Sequence, residues 1–162
     1  MFIYSIRAST VKLFGFVALT LLLIGVTLGF GGGEAVMAAA SGQDINFSGI
    51  KTNEDRVDFI KGFGIEVESE PVEEEAFSVP ENFDRVILGY NEIQKKQGLD
   101  LSKYTNKRVT RYTYKVTNYN SEGDVYANLF VYRSKIVACD VCSASPTGFV
   151  IPLTQVEKSK LK

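Results

Sequence analysis

The 162-residue sequence has no histidine, no tryptophan and only two cysteines. Without histidine it lacks the commonest general base and the commonest transition-metal ligand. Triads that need histidine, zinc proteases and haem or copper centres are excluded in their usual forms. Two cysteines alone cannot complete a structural zinc site. An excess of either charge is lacking too: 18 Lys plus Arg meet 19 Asp plus Glu, a formal charge of −1. Such a chain carries no basic footprint, so nucleic acid is not an expected partner. Glycine-rich phosphate loops, nucleophile elbows and Ser–Lys dyads are missing as well. The expectation is a protein that is not an enzyme and holds no cofactor and no metal.

What is present begins with a long apolar run. Residues 13–33 contain no charge, and the apolar stretch 13–30 is 18 residues long. At ~1.5 Å rise per residue that helix measures about 27 Å, close to the ~30 Å of a bilayer's hydrocarbon core. Arg7 and Lys12 precede it without an acid, and Glu34 is the first charge after it. The positive-inside rule then places residues 1–12 in the cytoplasm and residues 34–162 across the membrane. An alternative is a secretory signal peptide, with small residues at Ala38 and Ala40 marking a cleavage site. The first reading predicts a single-pass protein held in the lipid bilayer through residues 13–33. The second predicts a secreted domain. Gly31, Gly32, Gly33 and Gly42 make residues 34–50 and their approach a flexible linker. An extracytoplasmic domain over residues 51–153 and a polar tail over 154–162 complete the division.

Within that domain the pattern alternates between helix and strand. Residues 52–64 read as a short helix, with Thr52 or Asn53 as N-cap and Gly62 or Gly64 at its end. Ile65 and Val67 alternate with Glu66 and Glu68, as in a strand that Pro71 interrupts. Residues 66–84 hold eight acids and no base, whereas residues 85–115 hold eight bases and two acids. The acidic run reads as a solvated loop. Its consecutive Glu73, Glu74 and Glu75 lack the alternating spacing and the glycine of a calcium loop. A second helix is expected over 81–97, capped by Ser78. Its apolar stripe is Phe83, Val86, Ile87, Tyr90, Ile93 and Gln97. Three runs rich in β-branched and aromatic residues follow: 108–117, 125–132 and 135–142. Short connections at 120–123 and at Arg133 and Ser134 make them antiparallel hairpins. The predicted class is α+β: an N-terminal transmembrane helix, then two helices packed on an antiparallel sheet of three to four strands.

Few residues suggest chemistry. Cys139 and Cys142 form a C-x-x-C, the spacing of a redox pair. They lie in a predicted strand, however, where positions three apart point to opposite faces. Two unpaired thiols are one expectation, a redox pair another. Glu122, Asp124 and Asp140 are carboxylates that acid–base chemistry would need brought together. Tyr112, Tyr114, Tyr126 and Tyr132, with Arg111 and Lys115, form a candidate binding surface for sugars or peptides. Amphipathic tyrosines also suit core margins.

Several strings carry a resemblance. They are Thr52-Asn-Glu-Asp-Arg-Val-Asp-Phe-Ile-Lys-Gly-Phe-Gly-Ile-Glu-Val67, the segment from Phe83 and Asp84 through Tyr90 and Asn91 to Tyr104, Arg111-Tyr-Thr-Tyr-Lys-Val116, and Asp140-Val-Cys-Ser143. Over roughly residues 51–150 the chain resembles bacterial domain-of-unknown-function family number forty-eight thirty. Its members are small proteins of clostridia-like Firmicutes with one N-terminal membrane segment. The resemblance implies topology and location, and it transfers no catalytic residue. The order of one helix and a three-stranded meander is also similar to exported regulatory domains of the PepSY type. The combined expectation is a binding or regulatory module of the cell envelope, its partner an envelope protein or a wall polymer. The alternatives are a thiol–disulfide protein using Cys139 and Cys142, and a module that binds wall polymer alone.

Overall fold

A computed structural model describes residues 45–145 and 148–162. The expected anchor at 13–33, the cytoplasmic stretch 1–12 and the cleavage site at Ala38 and Ala40 lie outside the described residues. Among the described residues, no helix is long and apolar enough to cross a membrane.

The elements run α1 (Asn53–Lys61), β1 (Glu73–Ser78), α2 (Arg85–Lys95), β2 (Arg108–Lys115), β3 (Val125–Tyr132), β4 (Lys135–Ser143) and β5 (Val150–Pro152). All five strands belong to one antiparallel sheet in the order β1-β2-β3-β4-β5. The α+β class is as expected, but the sheet has five strands rather than three to four. The additions are its two edges. β1 lies inside the acidic run that reads as a loop, because Glu73, Glu75 and Phe77 turn toward the sheet while Glu74, Ala76 and Ser78 face solvent. β5 is three residues long, too short for a periodic signal. The strand expected at residues 65–69 reduces to a single bridge between Val67 and Val116.

Local chemistry accounts for the helix ends. Thr52 accepts from the N–H of Asp55, and Asp55 accepts from the N–H of Thr52, a reciprocal capping box. The second helix starts at Arg85, later than expected, and its N-cap is Asp84 rather than Ser78. Asp84 accepts from the N–H of Ile87 at 2.8 Å. Gly98 takes φ +81° just past the helix end, the left-handed turn that glycine supplies without strain.

Two apolar clusters lie on opposite faces of the sheet. Val57 and Ile60 of α1 pack with Tyr114, Ala127, Leu129, Cys139 and Val141. Tyr90 of α2 packs with Val109, Phe130 and Ala138. Strand alternation separates the two sets, since Tyr112 pairs with Leu129 and Cys139 while Arg111 pairs with Phe130 and Ala138. A bulge between Phe130 and Val131 gives β4 one extra residue. Val137 and Ala138 consequently both join the α2 cluster. The packed unit is also wider than residues 51–153. The Phe47 ring meets the Phe59 ring at a tilt, 5.9 Å between centroids, Ile50 is buried, and Leu161 bridges to Tyr119.

The buried side of α2 differs from the expected stripe. Tyr90, Asn91, Gln94 and Gln97 are buried, whereas Phe83, Val86, Ile87 and Ile93 are half-buried. The reason lies in β4. β5 reaches only Asp140 to Cys142, so the backbone of Cys139 has no strand neighbour on that side. Gln94 Oε1 accepts from the Cys139 N–H at 2.9 Å, and Gln97 Nε2 donates to the Cys139 carbonyl at 2.6 Å. Two side-chain amides thereby continue the ladder. Asn91 satisfies the following loop by accepting from the Leu101 N–H at 2.7 Å.

Thr52→Ala removes one acceptor from the first turn of α1 and costs about 1 kcal/mol. A thermal melt followed by circular dichroism should fall by on the order of 5 °C. An unchanged melting temperature would mean that α1 does not limit stability.

Candidate functional site

The α2-facing side of the sheet carries a row of polar groups where an apolar face would be usual. Arg111 of β2 reaches back to β1, its Nη2 lying 3.3 Å from Glu73 and 2.9 Å from Glu75. Glu75 is directly opposite Arg111 in register and Glu73 is two positions away, opposite Thr113, so both share the face of Arg111. Burial pushes the Glu73 carboxyl above the ordinary range, with Arg111 pulling it back. Next along the row, Thr113 Oγ1 lies 2.8 Å from Asn128 Oδ1. Asn128 Nδ2 donates to Asp140 Oδ1 at 2.8 Å, and the Tyr90 hydroxyl of α2 donates to Asp140 Oδ2 at 2.7 Å.

Asp140 is the centre of this row. It is a carboxylate in the middle of a strand buried on both faces. Loss of water raises its pKa from 3.8 to about 6. The hydrogen bonds from Asn128 and Tyr90 and the charge of Arg111 hold it no higher. Tyr90 is driven well above 10 by its own burial and by the neighbouring Asp140. Tyr90 therefore keeps its proton at neutral pH, while Asp140 is mostly ionised at pH 7.

The two cysteines flank Asp140 in the chain and are free. Cys139 lies in the α1-side cluster, and alternation turns Cys142 to the other face. Burial pushes both thiols up, Cys142 to about 12, with the adjacent Asp140 charge adding to the effect. Asn128 Nδ2 lies 3.4 Å from Cys142 Sγ. A thiol becomes a nucleophile by losing its proton, and this setting opposes that loss.

The residues of the expected tyrosine surface are divided. Arg111, Lys115, Tyr126 and Tyr132 share the α2-facing side, where Lys115 pairs with Asp124 at 2.8 Å and Tyr132 meets the Tyr104 ring at 5.7 Å. Tyr112 and Tyr114 lie on the opposite side. Tyr114 is 0% exposed, and Tyr112 carries the Arg56 guanidinium 3.7 Å above its ring. The three carboxylates do not form one cluster: Glu122 and Asp124 are exposed in the β2–β3 connection, and Asp140 is inside. Nothing local in the sequence marks Arg56, Tyr90, Asn128 and Gln94 as polar partners. Only the β4 partners had a signal, a single acid within an otherwise apolar strand. Among the described residues, no group of three or more acidic or cysteine side chains is arranged to hold a metal ion.

These features define a class: a five-stranded antiparallel α+β domain with helices on both sides and a hydrogen-bonded polar row inside it. The chain belongs to the family described as Domain of unknown function (DUF4830), which matches residues 59–141. That span runs from within α1 to Val141 of β4 and contains the polar row from Glu73 to Asp140. No curated protein and no solved structure matches the chain, so the likeness to PepSY domains gains no support.

Asp140 makes stability depend on pH with a definite sign. Its carboxyl is neutral in the folded chain at pH 5 and ionised in the unfolded chain. Its contribution is complete below about pH 4, declines as pH rises, and is gone above about pH 6. The loss is on the order of 3 kcal/mol. Asp55, Asp100 and Asp124 are shifted down and act oppositely at lower pH. Urea midpoints at pH 4.5 and 7.5 should therefore converge in Asp140→Asn relative to the unaltered protein. Equal differences in both proteins would contradict the assignment.

Proposed function

We propose that this chain is a membrane-tethered extracytoplasmic domain that binds or regulates a partner in the cell envelope and performs no chemistry of its own. The tether rests on residues 13–33 and on the charge asymmetry around them. The observation that favours binding over thiol chemistry is the closed state of the C-x-x-C. Cys139 is buried, Cys142 is pushed up to about 12, and the carboxylate between them accepts hydrogen bonds on both oxygens. A redox pair works the other way, with one thiolate stabilised and accessible.

Two measurements test this. Thiol titration of the full-length chain without reductant should find two thiols that react only after unfolding. A disulfide, or a thiol that reacts rapidly at pH 7 in the folded state, would overturn the reading in favour of redox activity. Cross-linking in intact cells and recovery from solubilised membranes should then retain one envelope protein in defined stoichiometry. Retention by peptidoglycan or teichoic acid alone would move the function to wall binding.

A further inference from the structure

Arg56 of α1 is 9% exposed, yet among the described residues no carboxylate lies within 4.0 Å of it. Its contacts are neutral. Nε donates to the Tyr114 hydroxyl at 2.7 Å, and the guanidinium carbon lies over the Tyr112 ring, 3.7 Å from its centroid. Those contacts are themselves held. The Tyr114 hydroxyl donates to Asn53 Oδ1 at 2.9 Å, and Asn53 Nδ2 donates to the Ser69 carbonyl at 2.6 Å. A floor and a relay of hydrogen bonds thus hold the guanidinium in place.

One of its five N–H donors is used. Nη1 and Nη2 have no partner in the protein, and neither is sealed from solvent as Arg111 Nε is. The exposed Glu70 acts on Tyr114 through space but does not pair with Arg56. A nearly buried cation without a counter-charge is costly. A planar fork of donors held in one orientation matches two oxygens of a carboxylate or phosphate.

We propose that Arg56, stacked on Tyr112 and tethered to Tyr114, is the receptor for one oxyanion, a carboxylate or phosphate group, of the ligand this domain binds. The inference rests on the binding function above and assigns its chemistry. Tyr112 is the floor, Tyr114 and Asn53 are positioning residues, and Arg56 makes the contact.

The test uses the full-length chain in detergent, isotopically labelled, and titrated at constant ionic strength with acetate, inorganic phosphate, and chloride as control. Saturable shifts of the Arg56 Nε–H and of the backbone around 53–56 and 112–114 are expected with acetate or phosphate and not with chloride. The stronger of the two reports the natural group. Arg56→Gln should weaken binding at least tenfold, and Arg56→Lys, which keeps charge and loses the fork, should lie between. Tyr112→Leu removes the floor without touching the guanidinium and should weaken binding too, which serves if Arg56→Gln fails to fold. The proposal is overturned by a lack of saturable shifts, by shifts confined to exposed lysines, or by full binding in Arg56→Gln. An Arg56→Lys chain that captures the envelope partner at unaltered yield would also sink this site while leaving the binding function intact.

Discussion

Strand β4 is buried on both faces, and the rest of the domain is arranged around that burial. A strand in this position normally reads as an unbroken apolar run. Here the run from Ile136 to Val141 is broken by Asp140 alone. A carboxylate taken out of water must be supplied with hydrogen bonds or lose its charge. Both occur in part: Asn128 and Tyr90 bond the two oxygens, and the pKa rises to about 6. These bonds also specify geometry. Asn128 sits opposite Asp140 in the β3–β4 register, and Tyr90 comes from the helix above. One buried acid therefore ties together a strand pair and the helix that covers it. A one-residue slip of β4 would turn Asp140 into the apolar α1-side cluster and strand it without partners.

The backbone of β4 imposes a second demand beside the first. Cys139 precedes the reach of β5, and Gln94 and Gln97 complete its hydrogen bonds. The buried polar positions of α2, which interrupt its apolar stripe, follow from this. An apolar residue at Gln94 would suit the stripe and leave the Cys139 N–H unpaired, at a cost of ~1–3 kcal/mol. Helix and strand are thus joined by side chains that reproduce a strand's bonding, not by ridges of leucine.

The charge split visible in the sequence has a structural meaning that its length scale concealed. Three acids of 66–84 lie in β1 and three bases of 85–115 lie in β2, and those strands are neighbours in space. Glu73 and Glu75 of β1 meet Arg111 of β2, and Arg111 is largely buried while the acids are partly exposed. Pairs of this kind orient strands more than they stabilise them, because desolvation offsets most of the attraction. The outward Glu74 on the same edge discourages a further strand from adding to β1. The acidic run is accordingly a strand whose two faces do different things. Charge density alone conceals this, since period-two alternation of Glu with Glu leaves no hydropathy contrast to detect.

Legibility in the sequence followed the strength of local signals. The capping residue Thr52, the class, and strands β2, β3 and β4 rest on propensity and spacing within one element, and those were readable. β1 and β5, the late start of α2 and the polar side of that helix depend on neighbours distant in the chain. Arg56 shows the limit most plainly. In sequence it is one basic residue among acids in a short helix, where pairing with an adjacent carboxylate is the ordinary outcome. Only the approach of β2 sets it over Tyr112 and against Tyr114, with Glu54 and Asp58 exposed and Asp55 engaged in the capping box. Tyr112 and Tyr114 are two residues apart and share a face, which the sequence does show. It is their joint grip on a cation from another element that turns a core margin into a surface able to recognise an anion. The two sides of the sheet consequently differ in kind. The α2 side has its charges answered from within. The α1 side presents one charge that the protein holds in place and leaves open.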